Sequence, residues 1–275
     1  MGQDQRDEQS FFLQKCEEAY HLVTQYLNDE LPWGVVPQRR NGYKYNADLR
    51  NQVKSKILQT MDVLGTAIDR HGLEEIAISY NGGKDCLVML VILLATIHSK
   101  FSSNAFTNPS INLLPHDYRL DSIYINSELP FKELSNFIEK STHDYHLNPI
   151  IIKMDLKDGF EYYLNKINPK VKSIIVGVRY YDPYGSKLSY EQMTDHNWPS
   201  FLRIHPILHW NYVDIWDFLV GCNLDYCSVY DLGYTSLGGV ENTQPNPYLK
   251  QPDNTYLPAY MLDENADERE RLGRA

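Results

Sequence analysis

The run Ser79-Tyr80-Asn81-Gly82-Gly83-Lys84-Asp85 sets two adjacent glycines among an amide, an ammonium and a carboxylate. Such a set can surround a phosphate, because glycines let backbone N–H groups converge on an anion while Asn81 and Lys84 add side-chain donors. A strand-like run at 75–80 precedes it and a long apolar helical run at 85–100 follows. The loop would therefore open a helix whose N-terminal partial charge favours anions, with Asp85 at the N-cap. The competing reading is a plain strand–turn–helix connection that uses glycine for turn geometry. The spacing matches neither G-x-x-x-x-G-K-[ST] nor G-x-G-x-x-G, which disfavours kinase-like P-loops and dinucleotide folds.

A second group lies at Gly177-Val178-Arg179-Tyr180-Tyr181-Asp182-Pro183. The planar fork of Arg179 matches phosphate oxygens, whereas Asp182 before proline could equally be a turn residue. Cys16, Cys86, Cys222 and Cys227 form no C-x-x-C pair and no Cys/His cluster of zinc spacing, so they read as reduced thiols. His205 and His209 lack a metal-binding partner at useful spacing and read as structural.

The elements that must position these groups follow from periodicity. Phe12, Cys16, Ala19, Val23 and Tyr26 recur at helical spacing, as do Val53, Ile57, Met61, Leu64 and Ile68. Strands are expected at 75–80, 120–126, 149–154 and 172–177, with a short β-type run at 201–207. Helices are expected at 85–100, 131–146, 159–167 and 211–220. This alternation implies an α/β fold, a mainly parallel sheet with helices on both faces, whose ligands bind beyond the carboxyl ends of the strands. Residues 101–117, rich in Ser, Asn and Pro, suggest a surface insertion. The chain divides as one domain over 1–275: N-terminal helices to 70, a core over 71–240, and an irregular closing segment over 241–275.

With 275 residues, 43% hydrophobic and 23% charged, the chain is of ordinary globular type. A net charge of −10 argues against nucleic acid as partner, since phosphate-backbone affinity rests on clustered Lys and Arg. Residues 1–10 are polar rather than signal-like, and the longest apolar run, 87–97, is too short to cross a bilayer. A cytoplasmic protein with no membrane association and no obligate protein partner is expected.

The loop resembles the PP-loop of the ATP enzymes that cleave at the α-phosphate, usually S-G-G-x-D-S, with Asn81 and Cys86 replacing the two outer serines. The form S-Y-N-G-G-K-D-C is similar to that of FAD synthetases, the eukaryotic FMN adenylyltransferases of the PAPS reductase-like group. Gly177–Pro183 resembles their flavin motif. Arg203-Ile204-His205-Pro206-Ile207 with Trp210, Asp214, Ile215 and Trp216 resembles the block shared with PAPS reductases. Residues 230–238 resemble a further shared block, and 256–260 with Arg269, Arg271 and Arg274 resemble the closing segment. The first two helices carry no part of the resemblance.

The resemblance implies transfer of AMP from ATP to the phosphate of FMN, giving FAD and pyrophosphate with Mg²⁺ as counter-ion. On that basis Ser79, Tyr80, Asn81, Gly82, Gly83, Lys84, Asp85, Ser127 and Glu128 would meet ATP. Arg179, Tyr180, Asp182, Trp198, Arg203, Arg271 and Arg274 would meet FMN. Asn81, Asp85, Arg179 and Asp182 would be catalytic, and Asp85 or Asp182 would approach the metal; Asp182 could instead bond the flavin N–H edge. Each has a structural alternative: Trp198 beside Pro199 as a packing anchor, and Asp267/Arg271 and Glu270/Arg274 as i,i+4 surface ion pairs worth a few tenths of a kcal/mol. A PAPS reductase needs a thiol on a C-terminal segment, and no cysteine follows Cys227. A nucleotide- or flavin-binding module without turnover is the remaining alternative.

Overall fold

The computed structural model describes residues 11–102, 114 and 117–274. Residues 1–10 and most of the expected insertion at 101–117 lie outside them. Helix α1 (Phe11–Leu27) buries Phe12, Cys16, Ala19, Val23 and Tyr26 at intervals of three and four, which is what makes it one-sided. Helix α2 (Ala47–His71) starts where Asn46 Oδ1 accepts from the amides of Asp48 and Leu49. Both helices pack on α3 (Lys84–Ser102). That contact explains the sequence of α3: surrounded by helices and sheet, it buries every residue from Leu87 to Ala95 and has no polar face there.

The remaining elements are β1 (Ile76–Ser79), β2 (Asp121–Ile125), α4 (Lys132–Asp144), β3 (Asn148–Ile152), α5 (Leu156–Tyr162), β4 (Ser173–Val176), β5 (Glu191–Met193), β6 (Leu202–Ile204), α6 (Tyr212–Gly221) and α7 (Ala266–Arg269). The six strands run in the order β3-β2-β1-β4-β6-β5, all parallel except β5, which is antiparallel to β6. Alternation within strands divides the core between two faces. Ile76, Ile78 and Ile175 join the large core with α1, α2, α3 and α6. Ala77, Ile123, Ile174 and Phe201 meet Phe160 and Tyr163 in a smaller one under α5. The expected α/β sheet with both faces covered is therefore present.

The strand order reverses between β1 and β4, and their register, Ile76 opposite Ser173 through Ser79 opposite Val176, brings the two strands to an end side by side. Consequently the loops that leave them, 80–83 and 177–183, emerge together at the switch point where such sheets bind ligands.

Two expectations change. The helix expected over 159–167 begins earlier, as α5, and finishes in a π-helical turn, Tyr163–Ile167. Strand β5 is absent from the periodicity because Glu191, Gln192 and Met193 show no apolar alternation; pairing with β6 creates it. The irregular closing segment has no long helix among its described residues. It runs through short 3₁₀ turns into the four-residue α7, with Ala259, Leu262 and Ala266 buried in the large core.

Candidate active site

A cleft of about 390 Å³ lies at the carboxyl edge of β1 and β4, within the usual size range of small-molecule sites. Asn81, Gly83, Lys84 and Asp85 form one wall, Asp182 and Pro183 another, and Gly238, Arg271 and Arg274 of the closing segment face them.

The loop after β1 is held by its own side chains. Asn81 Oδ1 accepts from Gly83 N at 2.9 Å, and the hydroxyl of Tyr230 accepts from Lys84 N at 3.0 Å. Burial pushes the Tyr230 phenol well up, so the hydroxyl keeps its proton to donate. Gly82 sits at φ +69°, and a Cβ there would lie 2.6 Å from Ile138 Cγ1 on α4. Both the left-handed backbone and the close approach of α4 require glycine at this position. Asp85 is not the N-cap: α3 begins at Lys84, and the carboxylate of Asp85 is turned to cations instead.

Those cations form the floor of the site. Arg179 is fully buried, with Nε 2.7 Å from Asp85 Oδ1, Nη1 3.1 Å from Asp267 Oδ1, and Nη2 bonded to Glu270 Oε2. Lys84, also buried, donates to Asp85 Oδ2 at 2.8 Å and to Glu270 Oε1. Asp182 turns its carboxylate back to Arg179 N at 2.8 Å and so organises the turn after β4. Two cations thus meet four carboxylates. Desolvation opposes the charged forms of Lys84 and Arg179, but the adjacent carboxylates outweigh it and hold both protonated. For Asp85, the cost of burial is overcome by Arg179 and then Lys84, which lower its pKa. In Asp182 burial wins, reinforced by repulsion from Asp85, and its pKa rises; Asp267 is raised by burial as well.

The closing segment does not form the i,i+4 ion pairs of the structural alternative. Because α7 is a single turn, Asp267 and Glu270 point inward to Arg179 and Lys84 rather than to Arg271 and Arg274. Asp267 also accepts from Tyr212 N, at the first turn of α6, at 2.8 Å. The arginines are left on the cleft. Arg274 packs so closely on Gly238 that a Cβ there would fall 2.2 Å from Nη2, and it donates to Leu237 O at 2.7 Å. Burial, followed by repulsion from Arg271, lowers its pKa.

Not every expected residue reaches the cleft. Tyr80 is buried, bonding Ser141 Oγ at 2.9 Å, and Gly82 is shielded beneath α4. Glu128 borders the cleft but spends its carboxylate on Gly239 N at 2.7 Å and Asn242 Nδ2 at 3.0 Å, holding the loop opposite. Ser127 lines a separate groove beside α4. Tyr180 faces a neighbouring hollow with Tyr190 and His209. Trp198 and Arg203 lie on the β5–β6 hairpin, where Arg203 donates to Met193 O at 3.1 Å and pairs with Asp195. His205 and His209 bond the carbonyls of Ser189 and Lys56, and burial lowers both, His209 to about 4. Sequence reading missed Tyr230, Asp267 and Glu270 as site residues. The signal that pointed to the last two was their neighbours Arg271 and Arg274.

All four thiols are buried, and burial raises each pKa, that of Cys86 at the cleft wall to about 12. Thiolate nucleophiles are therefore absent near neutral pH among the described residues.

Residues 75–245 match the model of the phosphoadenosine phosphosulfate reductase domain. The chain is 39% identical over 203 residues to a probable FAD synthase of Schizosaccharomyces pombe, covering 74% of this chain and 73% of that one. It superposes on Candida glabrata FMN adenylyltransferase in complex with FAD and inorganic pyrophosphate with TM-score 0.81, at 28% identity, covering 96% and 97% of the two chains. The same enzyme with FMN and the ATP analog AMPCPP gives TM-score 0.79 at 29% identity over 95% and 96%. By fold, by the placement of the glycine-rich loop and by these relatives, the chain belongs to the FAD synthase (FMN adenylyltransferase) family of the phosphoadenosine phosphosulfate reductase-like group.

Proposed function

We propose that this cleft binds ATP and FMN side by side and transfers AMP from ATP to the FMN phosphate, releasing FAD and pyrophosphate. The observation that carries the reading is the continuity of the cleft from the glycine-rich loop to Arg271 and Arg274. One end supplies donors for a polyphosphate. The other supplies two guanidinium groups with no carboxylate partner among the described residues, apt for a second anion. The nucleophile is an ionised phosphate oxygen, so no strong general base is needed, and alignment and charge neutralisation are the enzyme's tasks.

Asn81, Gly83, Lys84 and the Tyr230 hydroxyl contact the ATP phosphates, with Ser79, Tyr80 and Gly82 shaping the loop and Asp85 fixing its cations. Arg179 acts from beneath, through Asp85 and Glu270. Arg271 and Arg274 receive FMN, and Tyr180, Trp198 and Arg203 border its isoalloxazine end. Glu128 and Ser127 act on the nucleoside side, Glu128 through the 239–242 loop. For Mg²⁺ the donor set is thin. The described residues contain no cluster of three His, Cys, Asp or Glu placed to hold a metal, and Asp85 is closed off by Lys84 and Arg179. Asp182, on the cleft and in carboxylate excess, fits a metal carried mainly by phosphates and water. When bound, Mg²⁺ would neutralise charge on the phosphates.

Purified protein given ATP and FMN should release pyrophosphate and form FAD, and riboflavin in place of FMN should give neither. Binding of both nucleotides without pyrophosphate would replace this reading by a module without turnover.

Within the site, Arg271→Ala or Arg274→Ala should lose about 1.5–3 kcal/mol of interaction with FMN, roughly one to two decades in kcat/KM for FMN. ATP binding should change less. Glu264→Ala, exposed at the same segment, serves as control. Equal values for all three variants would return the arginines to the solvated surface. Replacement of all four cysteines by serine should leave adenylyl transfer measurable, with stability lowered at the buried sites, because phosphorus is attacked directly and no covalent thiol step occurs. Complete loss with native circular dichroism would contradict it.

A further inference from the structure

Lys84, Asp85, Arg179 and Glu270 close a ring of alternating charge. Lys84 Nζ reaches Asp85 Oδ2 and Glu270 Oε1, while Arg179 reaches Asp85 Oδ1 through Nε and Glu270 Oε2 through Nη2. Lys84 and Asp85 open α3 and Arg179 lies on the loop after β4, while Glu270 comes from the closing segment. Each of its two oxygens meets a different cation, and among the described residues of that segment Glu270 is the one carboxylate paired with Lys84. Its backbone is also held: Thr235 Oγ1 donates to Glu270 O at 2.6 Å, and Asn246 Nδ2 donates to that hydroxyl at 2.9 Å and to Arg269 O at 2.8 Å. Lys84 Nζ lies 5.1 Å from the centroid of the Tyr212 ring, so two carboxylates and an aromatic face confine it. The following residue, Arg271, is on the cleft together with Arg274.

We propose that Glu270 is a positioning residue: by closing this ring it fixes the Lys84 ammonium against the nucleotide phosphates and at the same time sets Arg271 and Arg274 across the cleft. The polyphosphate side and the acceptor side are thereby assembled by one carboxylate, and the glycine-rich loop is complete only with the closing segment docked. This inference rests on the adenylyltransferase reading for its turnover assay, but not for its binding assay.

Glu270→Gln keeps the shape and one of the two acceptor oxygens, while removing the charge and turning an amide NH2 toward the other cation. Both cations retain Asp85, so the fold should persist, with a melting temperature close to that of the parent. Turnover should fall about tenfold in kcat and the affinity for ATP, measured by calorimetry without FMN, about threefold or more, as expected for a weakened charge-assisted contact. Glu270→Asp restores the charge but is too short to span both cations, and should recover less than half of the lost rate. The decisive measurement is a double-mutant cycle with Lys84→Met. If Glu270 acts through Lys84, the double variant should bind ATP no more weakly than Lys84→Met alone; independent roles would make the losses multiply. Multiplicative losses, or Glu270→Gln with parental ATP affinity and kcat, would overturn the inference. Failure of the parent to form FAD from ATP and FMN would refute the adenylyltransferase reading instead, with the calorimetric cycle still deciding the role of Glu270.

Discussion

Arg179→Ala is expected to be the most destabilising single substitution in the site. The guanidinium is fully buried and meets Asp85, Asp182, Asp267 and Glu270. Its removal leaves Lys84 as the one cation for Asp85 and Glu270 and takes the cation from Asp182 and Asp267. Breaking a buried ion pair from one side costs about 3–5 kcal/mol, equivalent to a melting temperature lower by roughly 10 °C in a chain of this size. Arg179→Lys should be intermediate, because one ammonium cannot reach carboxylates arrayed around a planar fork. Adding Asp267→Asn to Arg179→Ala should recover part of the loss by reducing the surplus negative charge. Thermal melting of the three variants tests the network: unchanged stability in Arg179→Ala would show that these ion pairs contribute little.

Asp85→Ala should behave in the opposite way, abolishing most activity while the protein stays folded. With carboxylates in excess, its loss leaves Lys84 on Glu270 and Arg179 on Glu270 and Asp267. Stability should therefore change by only about 1 kcal/mol, the central value for point substitutions. Catalysis depends more finely on position, and a shift of the loop's ammonium by an ångström is enough for about a hundredfold loss of rate. Pyrophosphate release measured beside a melting curve separates the two effects. Near-normal turnover by a folded variant would remove the 79–85 loop from the ATP site. The contrast between neighbours in one ring is itself informative: losing the guanidinium that meets four carboxylates should be structural, and losing one of those carboxylates should be functional.

This asymmetry could not be read from the residues in order. Asp267 and Glu270 precede Arg271 and Arg274 by four positions, and a continuous helix would have paired them on its surface. At these residues the closing segment makes only the single turn α7, with Ala259, Leu262 and Ala266 in the large core, and Arg179 lies beneath it on the loop after β4, 91 residues before Glu270. Long-range burial therefore overrode a local pairing rule. Glu128 shows the same limit, since its position beyond β2 was legible while its commitment to Gly239 and Asn242 was not.

What the chain order determined by itself was whatever depends on neighbours along the backbone. The short buried runs of β1 and β4, the unbroken apolar run of α3 and the Asn81-Gly82-Gly83 break between strand and helix are local patterns, and they mark the candidate phosphate loop. Tertiary structure alone decided which charges met. It levelled the ends of β1 and β4, formed β5 from residues without alternation, and set Trp198 and Arg203 on a hairpin beside the cleft rather than in it. The physical reason is one of range. Backbone geometry and hydrophobic period are set within a few residues, whereas a buried ion must find its partner wherever the fold delivers one, because it cannot stay in the interior unpaired.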